Sequence, residues 1–338
     1  MSPRTYDLIT NPKYIDFISE SVRSGCSLED VKFPVPSVSL PALNKAEDIS
    51  YYLGISPELI WTLIRSPRYK YNTFSVRKKS GGSRVISAPR TYMKVVQWWI
   101  NDVILSKFPQ RDNVFGFVPG VSYVDNAAYH HGAVTMMNVD IKNFFPSIKS
   151  EDVLVCFMKI GYSKQVALGL SALTTYAGFL PQGAPTSPNL SNIVFSEFDE
   201  KISNICKLYN LKYSRYADDM TFSSIGRVPK DFHRIISREL FPKFLLNDEK
   251  TQYMGAGDKK EVTGLVLGRD GPAISREKLN GLRGWLHQII ANPEQYVDDL
   301  DRLSGTLAMV RMVGGRGTGP ILLQGGRAMQ AIEQSLRI

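Results

Sequence analysis

The stretch YSRYADDMTFSS, residues 213–224, places two acids side by side between two short runs of strand-forming residues. Tyr213 and Tyr216 precede the pair; Met220 and Phe222, alternating with Thr221 and Ser223, follow it. This pattern predicts a tight hairpin with Asp218 and Asp219 at its tip. Two carboxylates roughly 4 Å apart repel by about 4 kcal/mol at an effective dielectric of about 20, and taking them out of water costs several kcal/mol more. The tip must therefore be fully solvated or hold a cation. Turns favour aspartate, so the pair alone leaves both readings open. Asp298 and Asp299 provide a contrast, because they lie in a polar, helix-patterned stretch where solvation suffices.

A third acid tips the balance. Asp140 ends the apolar run AVTMMNVD, residues 133–140, where a charge has no packing role. Carboxylates gathered at strand ends form an oxygen-rich site suited to Mg²⁺, which shares its octahedral ligands with substrate phosphates. Two such ions can activate an attacking hydroxyl and stabilise a departing pyrophosphate, the chemistry of in-line nucleotidyl transfer. A hydrolytic zinc site would need His or Cys ligands at suitable spacing, and the sequence offers none.

With 338 residues, 43% of them hydrophobic, the chain can bury a large core and is long enough for two or three subdomains. Its net charge of +9 and pI near 9.3 favour a polyanionic partner, nucleic acid first. No apolar run approaches the roughly 18 residues of a membrane span, and MSPRTYDLITNPKYIDF lacks the apolar segment of a signal peptide. A soluble, intracellular protein with no membrane partner is expected. Cys26, Cys156 and Cys206 lack the paired spacing of a disulfide framework and read as reduced thiols. The positive charge concentrates in residues 65–94, which hold nine Lys or Arg and no acid, interleaved with Tyr69, Tyr71, Phe74 and Tyr92. Strand-like segments 72–78 and 83–88 flank Ser80-Gly81-Gly82-Ser83, predicting a basic hairpin suited to phosphate. A merely solvated face would usually mix signs.

Elsewhere, periodicity predicts helices in ELIWTLIRS and YMKVVQWWINDVILSKF, at 150–160 and 163–177 around Gly161, from Ser187 or Pro188 onward, and at 230–242. The Pro-rich run 33–44 breaks a mostly helical N-terminal stretch. A strand ends in KTQYMG, and a second hairpin spans EVTGLVLGRDGPAIS. Residues 275–338 read as helical with Gly-rich interruptions at 314–319 and 325–326.

In this order and spacing, NVDIKNFFPSI, LPQGAPTSPNLSN and YADD resemble the catalytic blocks of reverse transcriptases, over about residues 65–270. The helical tail is similar to a thumb. NAAYH at 126–130 and VTG at 262–264 resemble blocks of the bacterial retron subfamily, rather than of group II intron or diversity-generating relatives. The resemblance implies an α+β right-hand architecture. Its N-terminal helices and fingers would occupy 1–112, the palm 113–149 and 182–270, further fingers 150–181, and the thumb 271–338.

The same resemblance implies RNA-templated DNA synthesis, with Asp140, Asp218, Asp219 and the Ile141 carbonyl holding two Mg²⁺ ions. Tyr216 and Ala217 would border the primer end, Phe145 the incoming sugar, and Gln182 with Gly183 the nucleotide and template. Arg84, with Lys78 or Lys79, would take the triphosphate, and Lys250 would protonate leaving pyrophosphate. Asn126 and His130, four apart on a helix, would face RNA together, and Thr263-Gly264 would bend close to the primer. Each has a bland alternative: core for Phe145, a turn for Gln182, a solvated cation for Lys250, and a satisfied structural pair for Asn126 and His130. Implied partners are dNTPs, a structured non-coding RNA that is both template and primer, its branched RNA–DNA product, a separate effector in anti-phage defence, and host RNase H. The expected setting is the bacterial cytoplasm. An intron-type enzyme is one alternative, and a catalytically silent RNA-binding scaffold is another. Three costly acids kept together argue against the scaffold.

Overall fold

A computed structural model of the chain describes residues 40–66, 70–77 and 81–336. The chain forms two units, one of residues through Arg111, Lys142–Lys201 and Leu240–Leu245, the other of Asp112–Ile141, Ile202–Glu239 and Leu246–Ile338.

In the first unit, Pro57 opens the helix Pro57–Arg65, and the Ser56 side chain accepts from the Glu58 amide, as expected of a cap that relieves an orphan donor. The predicted basic hairpin forms as the antiparallel pair β1 (Tyr71–Arg77) and β2 (Ser83–Pro89). Lys78 and Lys79 lie outside the described residues, as does Cys26. Helices Ser150–Ile160 and Lys164–Thr174 follow, and Gly161 ends the first at φ +117°, a conformation that favours glycine. Phe144, 4% exposed, packs against Phe195 and Phe244 with ring centroids 5.6 and 5.8 Å away. Truncating such a ring to alanine typically costs about 3–5 kcal/mol.

The second unit is built on a sheet. The apolar run ending at Asp140 becomes β3 (Thr135–Lys142), and YSRYADDMTFSS becomes β4 (Lys212–Tyr216) and β5 (Asp219–Ser224). With β6 (Leu245–Leu246), the order is β4-β5-β3-β6, and β7 (Gln252–Met254) also pairs with β3. The segment EVTGLVLGRDGPAIS makes three short antiparallel strands rather than one hairpin: β8 (Glu261–Val262), β9 (Leu265–Gly268) and β10 (Gly271–Ala273). Helices Arg276–Ala291, Leu300–Val313 and Thr318–Ser335 complete the unit. The break at 314–319 is present, with Gly314, Gly315 and Gly317 all at positive φ. The expected break at 325–326 is not, because both glycines lie inside the last helix. Gly325 serves packing: a Cβ there would fall 2.2 Å from a Leu307 methyl.

Cys156 and Cys206 are buried free thiols on helices, and burial pushes both pKa values up to about 12. No helix among the described residues is long and apolar enough to cross a membrane.

Candidate active site

Tyr216 pairs with Asp219 across β4 and β5, so Ala217 and Asp218 form the two-residue turn between them. Ala217 takes φ +58°, the positive first position that matches the twist of a hairpin. On the other side of β5, Asp219 stands directly opposite Asp140 of β3. The Ile141 amide donates to the Asp218 carbonyl at 2.9 Å, which anchors the turn to β3. Two short strand pairings thus deliver three acids to one end of the sheet.

Like charges directly opposite on a sheet are destabilising. Asp219 keeps an exposed surface, but protein crowding around its carboxyl, together with Asp218 and Asp140, raises its pKa to about 6. Lys250 pulls the other way. Its amine donates to Asp140 at 2.5 Å, and that hydrogen bond is the main reason the lysine is held protonated. Asp140 itself is 8% exposed, and its carbonyl accepts from the Asn247 amide at 2.8 Å.

Among the described residues, no three His, Cys, Asp or Glu side chains are already arranged to hold an ion unaided. A hard divalent cation binds through one or two carboxylates and completes its shell with water and substrate phosphates. The donor set is all oxygen, and its surplus negative charge is what such a cation would relieve.

Tyr216 and Ala217 are partly exposed beside the acids. In the first unit, the Gln182 carbonyl accepts from the Ser87 amide at 2.7 Å, tying the LPQG loop to β2, the strand that carries exposed Arg84. Gly183, at φ +114°, lies so close to β2 that a Cβ would come within 3.1 Å of Ile86 and Ser87. Phe145 is partly exposed on the helical turn Phe144–Ser147, which follows Asn143 at φ +51°. The segment is therefore helical.

Asn126 and His130 require a correction. They lie on and at the end of the helix Tyr123–Tyr129, but at 1% and 0% exposure they present nothing to RNA. His130 Nδ1 lies 2.7 Å from the Ser223 hydroxyl, and Nε2 lies 2.7 Å from the Ser214 hydroxyl, which donates to Asn126 Oδ1 at 2.6 Å. Because Ser214 spends its only proton on Asn126, it must accept from Nε2–H. Nδ1 then accepts from Ser223. Burial, reinforced by Lys212, pushes the His130 pKa down to about 3, so the ring is neutral in this role. The pair clamps β4 and β5 from behind. Spacing on one helix shows a shared face, not which way that face points.

His130→Ala should therefore lower stability by about 3 kcal/mol, since two buried hydroxyls lose their partner. Equal losses of activity on the cognate RNA and on a generic primed template would accompany a lower urea midpoint. A loss confined to the cognate RNA would restore the RNA-facing reading. With a folded pKa near 3 against 6.5 ordinarily, the unfolded chain binds the extra proton between these values. The network's contribution is thus complete above about 6.5 and fades as pH falls toward 3.

Thr263 and Gly264 form the turn between paired Val262 and Leu265, with φ of +48° and +79°. Thr263 Oγ1 donates to the Tyr123 carbonyl at 3.0 Å, which holds a β-branched residue in a backbone region it rarely adopts. Sequence reasoning passed over Arg215, which is fully buried and donates to the Ala217 carbonyl at 3.1 Å. Its signal was a lone arginine at a buried-strand position one residue before the turn.

A family model described as "Reverse transcriptase (RNA-dependent DNA polymerase)" matches residues 76–267. The chain is 31% identical over 285 residues to the retron Ec86 reverse transcriptase of Escherichia coli, covering 83% of this chain and 88% of that one. It is 34% identical over 301 residues to the retron Mx65 reverse transcriptase of Myxococcus xanthus, covering 81% and 69%. A solved telomerase of Candida albicans, in complex with a fragment of telomeric RNA, aligns with 78% of this chain and 56% of its own at 12% identity and a TM-score of 0.47. The chain belongs to the reverse transcriptase family and, within it, to the retron reverse transcriptases: it is an RNA-directed DNA polymerase of right-hand α+β fold, with an RNA template as partner, in a family that uses divalent metal ions.

Proposed function

We propose that this enzyme copies a structured non-coding RNA, which also serves as primer, into single-stranded DNA joined to the RNA through a 2′-hydroxyl branch. The observation that carries the reading is the placement of Asp140 opposite Asp219, with Asp218 on the adjoining turn. Asp140, Asp218 and Asp219, with the Ile141 carbonyl, would hold two Mg²⁺ ions. When bound, the ions would supply activation of the primer hydroxyl and charge neutralisation at the leaving pyrophosphate.

The chain's own groups do the rest. Lys250, kept protonated by Asp140, holds a proton for the pyrophosphate. Tyr216 and Ala217 border the primer end, Phe145 the incoming sugar, and Gln182 and Gly183 the nucleotide and template. Thr263-Gly264 borders the primer. Arg84, with Lys78 or Lys79, grips the triphosphate. N-terminal helices and fingers at 1–112, further fingers at 150–181, palm at 113–149 and 182–270, and thumb at 271–338 would describe this division of labour. RNA trimming falls to host RNase H, and an anti-phage outcome to a separate effector protein in the bacterial cytoplasm.

Sequencing nucleic acid that copurifies with the enzyme tests the whole reading. Covalently branched RNA–DNA is expected, and unlinked RNA alone would overturn it. Arg84→Ala should raise KM for dNTP or lower kcat by about 10- to 100-fold, the worth of a charge-assisted hydrogen bond, with RNA affinity nearly unchanged. A loss confined to RNA binding, with the salt slope falling by about one, would move Arg84 to a template phosphate.

A further inference from the structure

We propose that Gly116 and Arg215 are positioning residues that set the Tyr216–Asp219 turn in its working geometry; the proposal rests on the reading of Asp218 and Asp219 as metal ligands. Both act on the peptide units that flank Ala217.

The chain before Gly116 runs alongside β4 in parallel, Val114 facing Arg215. The Arg215 amide donates to the Asn113 carbonyl at 2.9 Å, and the Phe115 amide donates to the Arg215 carbonyl at 2.9 Å. These two bonds fix where the next residue lands. Gly116 lies flat against the Tyr216–Ala217 peptide, so closely that a Cβ would sit 2.2 Å from the Ala217 nitrogen and 2.9 Å from the Tyr216 carbonyl carbon. No flexible side chain stands there to move aside, so any substitution must displace the turn itself.

Arg215 holds the other side. Its side chain is wholly buried, which is unusual for a guanidinium, and it reaches forward along its own strand to the Ala217 carbonyl. The next carbonyl, that of Asp218, is taken by the Ile141 amide. Three successive points of the turn are thus pinned: the peptide before Ala217 by Gly116, the carbonyl after it by Arg215, and the following carbonyl by β3. Ala217 needs such pinning, because φ +58° is disfavoured for a residue with a Cβ. Strain held in place beside reacting groups is a known means of presetting them. Here it would aim the two carboxylates before metal or nucleotide arrives.

The test compares Gly116→Ala, Arg215→Lys and Arg215→Met with wild type and with Asp218→Asn. Primer extension, thermal melting, and Mn²⁺ binding followed by electron paramagnetic resonance would be measured on each enzyme with primed template. Gly116→Ala should lower kcat by about 10²-fold, the cost of roughly 1 Å of misplacement, with KM for dNTP little changed and Mn²⁺ binding weakened. The kcat loss should persist well below the melting temperature, and Arg215→Lys should recover part of what Arg215→Met loses. Should Gly116→Ala fail to fold, Ala217→Gly frees the same turn without a clash, and lower kcat with weaker Mn²⁺ binding is expected at nearly unchanged melting temperature. Wild-type kcat and Mn²⁺ binding in a folded Gly116→Ala or Ala217→Gly enzyme would overturn the proposal, as would a loss that disappears on cooling. Activity retained by Asp218→Asn would instead bring down the metal reading, and this proposal with it.

Discussion

Asp218→Asn is expected to slow DNA synthesis by about 10³-fold, because a metal site supplies several kcal/mol of transition-state charge stabilisation and each 1.36 kcal/mol is worth about tenfold. RNA affinity should stay near that of wild type, since a chain of net charge +9 meets RNA phosphates through many cations remote from Asp218. Asparagine preserves side-chain size and leaves the Asp218 carbonyl free to accept from Ile141. One further outcome separates this substitution from ordinary damage. Asp218 is among the charges that raise the Asp219 pKa, so removing its charge relieves that repulsion, and the loss of extension should persist well below the melting temperature. Primer extension, RNA binding and melting measured on one preparation check all three statements. Extension near the wild-type rate would remove the metal assignment.

Phe145→Val should let ribonucleotides compete with deoxyribonucleotides, shifting the ratio of kcat/KM for dGTP over GTP by up to about 10²-fold. β3 ends two residues after Asp140, Asn143 turns the chain through φ +51°, and one helical turn then presents two adjacent rings in different surroundings. Phe144 is committed to the ring cluster with Phe195 and Phe244, whereas Phe145 keeps open surface. A ring beside the C2′ face of an incoming sugar meets a ribose hydroxyl and displaces the reacting centre. Trimming the ring opens that space. Phe144→Val is the control and should lower stability by about 2 kcal/mol without altering sugar choice. An unchanged ratio in a folded, active Phe145→Val enzyme would end the gate assignment.

The acid hairpin was legible because its turn and both strands carry strong local signals, and because a charge ending an apolar strand needs a reason. For Asn126 and His130 the helical spacing left two readings open, RNA-facing and a satisfied structural pair. Their helical spacing was right, but the face is turned inward by Ser214 and Ser223, which the sequence shows only as unremarkable small residues in a hairpin. Gly325 looked like a helix breaker and proved to be a seat for Leu307. Arg215 looked like one more basic charge, and only three-dimensional contacts show where its guanidinium goes.

The tail helices do not enclose a core of their own. Leu286, Ile289, Leu303 and Ile321 share one apolar cluster with Ala127 of the helix Tyr123–Tyr129, Met136 of β3 and Met254 of β7. Strands that carry or support the three acids are thus wetted if the tail is cut away, so the tail cannot be treated as a detachable cassette. Chimeras that exchange residues 275–336 with those of a relative would need matching substitutions at Ala127, Met136 and Met254. Without them the hybrid would be expected to lose cooperativity through its whole second unit, the acid-bearing strands included.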